Sequence, residues 1–219
     1  MGKRSDFKRR ANDFYQTPRA AVEPLLPHLP ERFTYIEPCA GDGALIRALS
    51  SFEGVSHDGR FCPLLEYGSD IAIPEELWAA EVQSIRNSSS GREDFRASKI
   101  VFHQDALEIK KDNVEPRVDF FVTNPPWSRP TLHALIMHLS AIRPTWLLFD
   151  ADWAHTKQAA PYLAHCRKIV SVGRCKWIPG SPHTSKDSCS WYLFDHPDGT
   201  ETRKPTEFWG RTTDTNGVG

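Results

Sequence analysis

No two of the five cysteines (Cys39, Cys62, Cys166, Cys175, Cys189) stand in a C-x-x-C spacing, and their number is odd. That combination argues against a disulfide framework and against a zinc knuckle. The histidines do not repair the deficit: His155, His165, Cys166 and Cys175 lack ligand spacing, so no metal is expected. No apolar run approaches a membrane span. The basic N-terminus, MGKRSDFKRR, runs into DFYQTP instead of an apolar leader core. A soluble protein of a reducing cytoplasm is expected. There is no internal repeat, and a net charge of −1 announces no polyanion partner.

What is present is a core and an uneven charge. Hydrophobic residues make up 39% of the 219, enough for one large domain or two small ones. Five of the first ten residues are basic, and between His155 and Ser190 six Lys or Arg stand against one acid, Asp187. Solvated surface is the plain reading of such runs. Two basic regions flanking a candidate site make phosphate contact the other. Residues 1–12 read as a basic flexible arm, 13–200 as a single domain and 201–219 as a flexible tail. The oligomeric state stays open, with a monomer favoured.

Strands alternate with helices along the chain. FTYIEP (33–38), a segment around Leu64–Tyr67 that ends at Ser69-Asp70, KIVFH (99–103), VDFFVT (118–123) and TWLLFD (145–150) read as strands. Helices are expected after Thr17-Pro18 to about Leu26, with Thr17 as cap, then in GDGALIRALSSF, over 74–85, over 131–142 and in HTKQAAPYLAHC. KIVSVGRCKWI and SCSWYLFD form a last hairpin around a polar loop, 179–188. The pattern predicts an α/β, Rossmann-like, doubly wound sheet, mostly parallel, with a C-terminal antiparallel hairpin strand.

Ligands of such sheets bind at the carboxyl ends of the strands, near the switch in strand order. Five places qualify. In EPCAGDG (37–43), Gly41 and Gly43 permit a tight strand-to-helix turn with close ligand approach. The third glycine of a dinucleotide fingerprint would fall at Ile46 and is missing. An acid here, Glu37 or Asp42, disfavours phosphate and suits a cationic or hydroxyl-bearing ligand. Asp70 is able to accept both ribose hydroxyls of a nucleoside, with Glu66 as the alternative if the strand ends earlier; an ordinary turn acid is the plain reading. Asp105 either accepts from an adenine amine or caps a helix.

The fourth place is NPPW, Asn124 to Trp127. Asn124 is pushed into an extended conformation by the following proline, and Pro125 and Pro126 have fixed φ and no N–H. The corner offers acceptors only: the Asn124 side-chain oxygen and the Pro125 carbonyl. Trp127 adds a flat face. This suits a planar amine, whose two hydrogens are drawn to the acceptors and whose lone pair is thereby aimed, with no strong base. A proline turn with a core tryptophan is the plain alternative. Fifth, Trp177 or Trp191, on either side of the last loop, is able to stack on a base, though each also reads as core.

Together these residues resemble class I S-adenosylmethionine-dependent methyltransferases, and more closely the N6-adenine DNA methyltransferases found in phages and prophages. DFYQTP (13–18) is similar to the segment that packs over the methionine end of the cofactor, YIEPCAGDGAL to the glycine-loop motif, and NPPW to the [DNS]-P-P-[YFW] motif. The resemblance spans residues 13 to 195. It implies a class I methyltransferase fold and S-adenosyl-L-methionine bound by Tyr15, Thr17, Pro18, Glu37, Pro38, Ala40, Gly41, Gly43, Asp70, Ile71, Asp105, Ala106 and Asn124. It also implies a catalytic corner of Asn124, Pro125, Pro126 and Trp127. Trp127, Trp177 and Lys186 would contact DNA carrying a flipped adenine. No separate target-recognition domain is visible, since 92 residues follow Trp127. The arm, the loop 179–188 and the insert 86–98 would have to read the DNA. An RNA base or a protein glutamine amide presents a similar planar amine, and release-factor glutamine methyltransferases share an NPP-aromatic motif. A catalytically silent nucleic-acid-binding module is the non-enzymatic alternative.

Overall fold

The computed structural model describes residues 15–54, 61–71, 101–178, 184–196 and 205–211. The helix expected over 74–85 and the insert 86–98 lie outside the described residues, as do the whole arm and the first half of the loop 179–188.

Eight strands form one sheet: β1 (Arg32–Glu37), β2 (Cys62–Asp70), β3 (Val101–His103), β4 (Phe120–Thr123), β5 (Thr145–Asp150), β6 (Cys166–Gly173), β7 (Cys189–Phe194) and β8 (Glu207–Trp209). Their order is β3-β2-β1-β4-β5-β7-β6-β8. The first five run parallel. β7 is antiparallel to both β5 and β6. The chain steps outward from β1 to β2 and β3, then returns to the other flank of β1 as β4. That reversal creates a crevice beyond the carboxyl ends of β1 and β4.

Alternation along the strands builds two core layers, because successive side chains leave opposite faces. Phe33, Tyr35, Val122, Trp146, Leu148 and Trp191 pack on one side with Leu45, Ala48 and Leu49 of helix α2 (Ala44–Ser50) and with α1 (Arg19–Val22). Leu147, Phe149, Tyr192 and Phe194, and Ile36 with Phe121, pack on the other side. There they meet helix α3 (Arg129–Ser140), which buries Leu132, Leu135, Ile136 and Leu139, a stripe at i, i+3, i+4 and i+7. With helices on both faces, β5 is buried from Thr145 to Phe149 and apolar from Trp146 on.

Three expectations are corrected. Thr17 does not cap α1: the N-cap is Pro18, without a side-chain cap, and Pro24 converts the rest of the expected helix into a 3₁₀ segment, Glu23–His28. HTKQAAPYLAHC is not one helix. It begins where the 3₁₀ turn Ala151–His155 ends, and holds a second 3₁₀ turn, Lys157–Ala159, and a four-residue helix, Ala160–Leu163. The expected tail contains β8, held parallel to β6 by pairing of Lys168 with Glu207 and Val170 with Trp209. No helix among the described residues is long and apolar enough to cross a membrane.

Candidate active site

The chain leaves β1 through Pro38 and turns into α2. Gly41 (φ 55°) and Gly43 (φ 77°) both adopt the left-handed region, which a side chain would oppose. Five contacts hold this turn. The N–H of Ala40 bonds the Ser69 carbonyl at 2.9 Å, and that of Gly41 bonds Asp70 Oδ2 at 2.9 Å, both across to β2. The carboxylate of Asp42 accepts from the backbone of Ala44 at 3.0 Å and from the Gln16 side chain. Arg47 pairs with the same carboxylate at 3.4 Å. Of the two acids expected to face a ligand, Asp42 is therefore committed to the turn.

Glu37, the other, is 2% exposed, and its Oε2 has no hydrogen-bond partner. Burial, with the nearby carboxylates of Asp70 and Asp42, pushes its carboxyl well above the ordinary range. Oε2 is not alone. Ser69 Oγ near the end of β2, Gln104 Oε1 just after β3, and Thr123 Oγ1 at the end of β4 are also buried without a partner. Buried polar atoms are nearly always satisfied in folded proteins. Four unsatisfied ones at or beside the carboxyl ends of four neighbouring strands would suit a polar ligand. All four are oxygens that accept, or accept and donate.

Across the crevice, β4 ends in the NPPW corner. Pro125 is buried, and Asn124, Pro126 and Trp127 are half-buried. The Asn124 side chain is bonded at both ends: its Nδ2 donates to Thr17 Oγ1 at 3.1 Å, and its Oδ1 accepts from Trp127 Nε1 at 3.2 Å. Trp127 packs against both core layers and meets Trp177 edge to face, 5.7 Å between centroids at 88°. The turn after β6 thus reaches the corner. Just beyond the corner, Arg129 pairs with Asp150, at the end of β5, at 3.0 Å.

The other expected residues fall as follows. Asp105 Oδ1 caps the short turn Ala106–Glu108 by accepting from Leu107 at 2.9 Å, the plain reading of that acid. Ala106 packs in the core with Ile36 and Phe121. Ile71 follows Asp70 and is 56% exposed. Tyr15 and Pro18 are half-buried on either side of buried Thr17, and Pro38 is buried. Glu66 lies within β2, four residues before its end, and is paired with Arg117 at 2.8 Å; Asp70 is the acid at the strand end. Lys186 is exposed. Trp191 is core: it is 0% exposed and donates to the Ala21 carbonyl at 2.7 Å, so it has no face for a base. Gln16 was not among the expected residues, although it stands in the quoted QTP; nothing local marks its bond to Asp42, 26 residues away. Among the described residues no cluster of three or more His, Cys, Asp or Glu is arranged for a metal.

The sequence matches no protein-family model and no curated protein. Solved structures do resemble it. A candidate class I S-adenosylmethionine-dependent methyltransferase of Listeria monocytogenes superposes with a TM-score of 0.55 at 13% identity, over 90% of this chain and 64% of that one. The methyltransferase subunit of a type I restriction-modification system from Streptococcus thermophilus gives 0.53 at 13%, over 83% and 44%. The chain spans less than two thirds of either protein. The likeness, together with the strand order and the antiparallel β7, shows that this chain has the class I methyltransferase fold.

Proposed function

We propose that the chain transfers a methyl group from S-adenosyl-L-methionine to the N6 amine of adenine in DNA. One observation carries the reading. The corner Asn124-Pro125, with the Asn124 Oδ1 and the Pro125 carbonyl as acceptors, stands at the end of β4, across the switch point from the Gly41–Gly43 turn, beside four buried oxygens without partners. Those oxygens, with Asp70 and the turn's backbone, fit a ligand that carries an ammonium, ribose hydroxyls and an adenine amine. They do not suit a phosphate. Glu37, Ser69, Asp70, Gln104 and Thr123 would line the cofactor, with Tyr15 and Pro18 closing over it. The DNA assignment draws on the Streptococcus thermophilus neighbour, which belongs to a restriction-modification system. A bacterial cytoplasm, with a phage or prophage as the source of the gene, is the setting this reading implies.

The cofactor supplies an electrophilic methyl group; the chain supplies the aim. Asn124 Oδ1 and the Pro125 carbonyl each accept one hydrogen of the amine. Both fixed acceptors favour a pyramidal nitrogen with its lone pair directed into the crevice. As the nitrogen's lone pair forms its bond to the methyl carbon, that carbon's bond to the cofactor sulfur would break and the neutral thioether would leave; the alkylated nitrogen would then shed a proton to water, so no strong base is needed. The adenine must leave its duplex to reach the corner, where the Trp127–Trp177 pair offers aromatic surface.

The test is radiolabelled methyl transfer offered in parallel to duplex DNA, single-stranded DNA, RNA and a protein lysate. Label is expected in DNA, and Asn124→Ala should lower it by about 10²–10³-fold, the usual cost of one preorganised catalytic dipole. Label confined to protein would overturn the DNA assignment. Label in DNA that survives Asn124→Ala would overturn the role of the corner.

A further inference from the structure

The two bonds on Asn124 are not interchangeable. An indole N–H only donates. The atom of Asn124 that lies 3.2 Å from Trp127 Nε1 is therefore the amide oxygen. The amide nitrogen must then point the other way, and it meets Thr17 Oγ1 at 3.1 Å. Thr17 is 6% exposed and comes from a segment 107 residues upstream, whose neighbour Gln16 is bonded to Asp42 of the glycine turn. A carbonyl oxygen has two lone-pair directions. With one taken by Trp127, the other has a single fixed heading.

We propose that Thr17 and the indole N–H of Trp127 are positioning residues for Asn124: together they fix which way its amide faces and leave one lone pair of Oδ1 for the target amine. The inference rests on the methyl-transfer reading and assigns Trp127 a second duty, as a hydrogen-bond donor, besides its aromatic face. It also gives Thr17 a partner within the protein in place of the cofactor contact that the sequence suggested.

Three variants separate the possibilities. Trp127→Phe keeps a ring and removes the N–H. Thr17→Val keeps the shape and removes the hydroxyl. Thr17→Ser keeps the hydroxyl. With DNA as acceptor, kcat is expected to fall about ten- to hundredfold in Trp127→Phe and Thr17→Val, the scale of a misaimed reacting group. Cofactor affinity by calorimetry should stay within about threefold, and Thr17→Ser should recover most of kcat. The double variant should lose less than the product of the single losses, because both act through one amide. A second readout needs no turnover. In the full-length protein, Thr17→Val should shift the Asn124 side-chain amide and the Trp127 indole N–H resonances, and speed exchange of the latter. Wild-type kcat in Thr17→Val, multiplicative losses in the double variant, or unshifted resonances would overturn the assignment. Equal losses of kcat and cofactor affinity in Thr17→Val would return Thr17 to the cofactor. If the wild type methylates nothing while the resonances shift as described, the reaction falls and the hydrogen-bonded chain stands.

Discussion

Asp70 Oδ2 accepts the backbone N–H of Gly41 at 2.9 Å, so the acid that ends β2 holds the turn that follows β1. A hydrogen bond to a charged acceptor contributes about 1.5–3 kcal/mol. Asp70→Ala should therefore lower stability by about that much and loosen the turn that lines the crevice. Binding of S-adenosylmethionine, followed by calorimetry, should weaken at least about tenfold, since each 1.4 kcal/mol is tenfold in affinity. Asp70→Asn, which keeps an acceptor for Gly41, should recover stability more than affinity. Unchanged affinity in Asp70→Ala would remove this acid from the cofactor site.

Glu37 gives a pH signature. Its carboxyl is held well above the ordinary range by burial and by Asp70 and Asp42. The folded protein thus keeps a proton that the unfolded chain releases near pH 4.3. Stability is lost as pH rises through that value, and the loss grows until the folded-state pKa is passed. Glu37→Gln removes the titration and still offers an acceptor to the Ile46 N–H, which bonds this side chain. Measured by differential scanning calorimetry, the Tm of Glu37→Gln relative to wild type should rise as the pH is raised above the ordinary carboxylate range. A flat difference would mean that Glu37 titrates as an exposed carboxylate.

The parallel core was legible because β1, β4 and β5 carry runs that only a two-sided burial explains, and α3 carries one apolar stripe. β8 was not legible. Glu-Phe-Trp has no period to read, and its strand is created by distant partners: pairing to β6, a 3.4 Å Lys168–Glu207 ion pair and a 5.0 Å His28–Trp209 contact. The same limit governed the site. Asp42 shows in the sequence as an acid in a glycine loop, but its commitment to Gln16, Ala44 and Arg47 appears only in three dimensions. Trp177 and Trp191 looked equivalent in sequence. Their places in the fold separate them: Trp177 lies in the turn after β6, beside Trp127, and Trp191 lies within β7, inside the core.

Trp177 supports the corner from the side. An edge-to-face aromatic pair contributes about 0.5–1.5 kcal/mol beyond its buried area. Trp177→Ala should leave Asn124 and its two bonds in place, because neither involves Trp177. In the proposed reaction the KM for DNA should then rise about two- to tenfold with kcat little changed, as read from initial rates at saturating cofactor. A fall in kcat with KM unchanged would instead tie Trp177 to the chemical step.

Trp191 makes the opposite case. Its Nε1 donates to the Ala21 carbonyl at 2.7 Å, and both residues are 0% exposed. Phe at this position fills most of the space but leaves the carbonyl of Ala21 without that donor, at a cost of about 1–2 kcal/mol. For a chain of this length that corresponds to a drop in Tm of roughly 2–8 °C. Because Ala21 lies in α1, four residues beyond Thr17, the loosening should spread to the segment that holds Asn124. Hydrogen exchange in Trp191→Phe should accordingly quicken over residues 15–22, while the KM for DNA stays within about twofold of wild type at temperatures below the transition. A raised KM with an unchanged Tm would show that Trp191 meets the substrate after all.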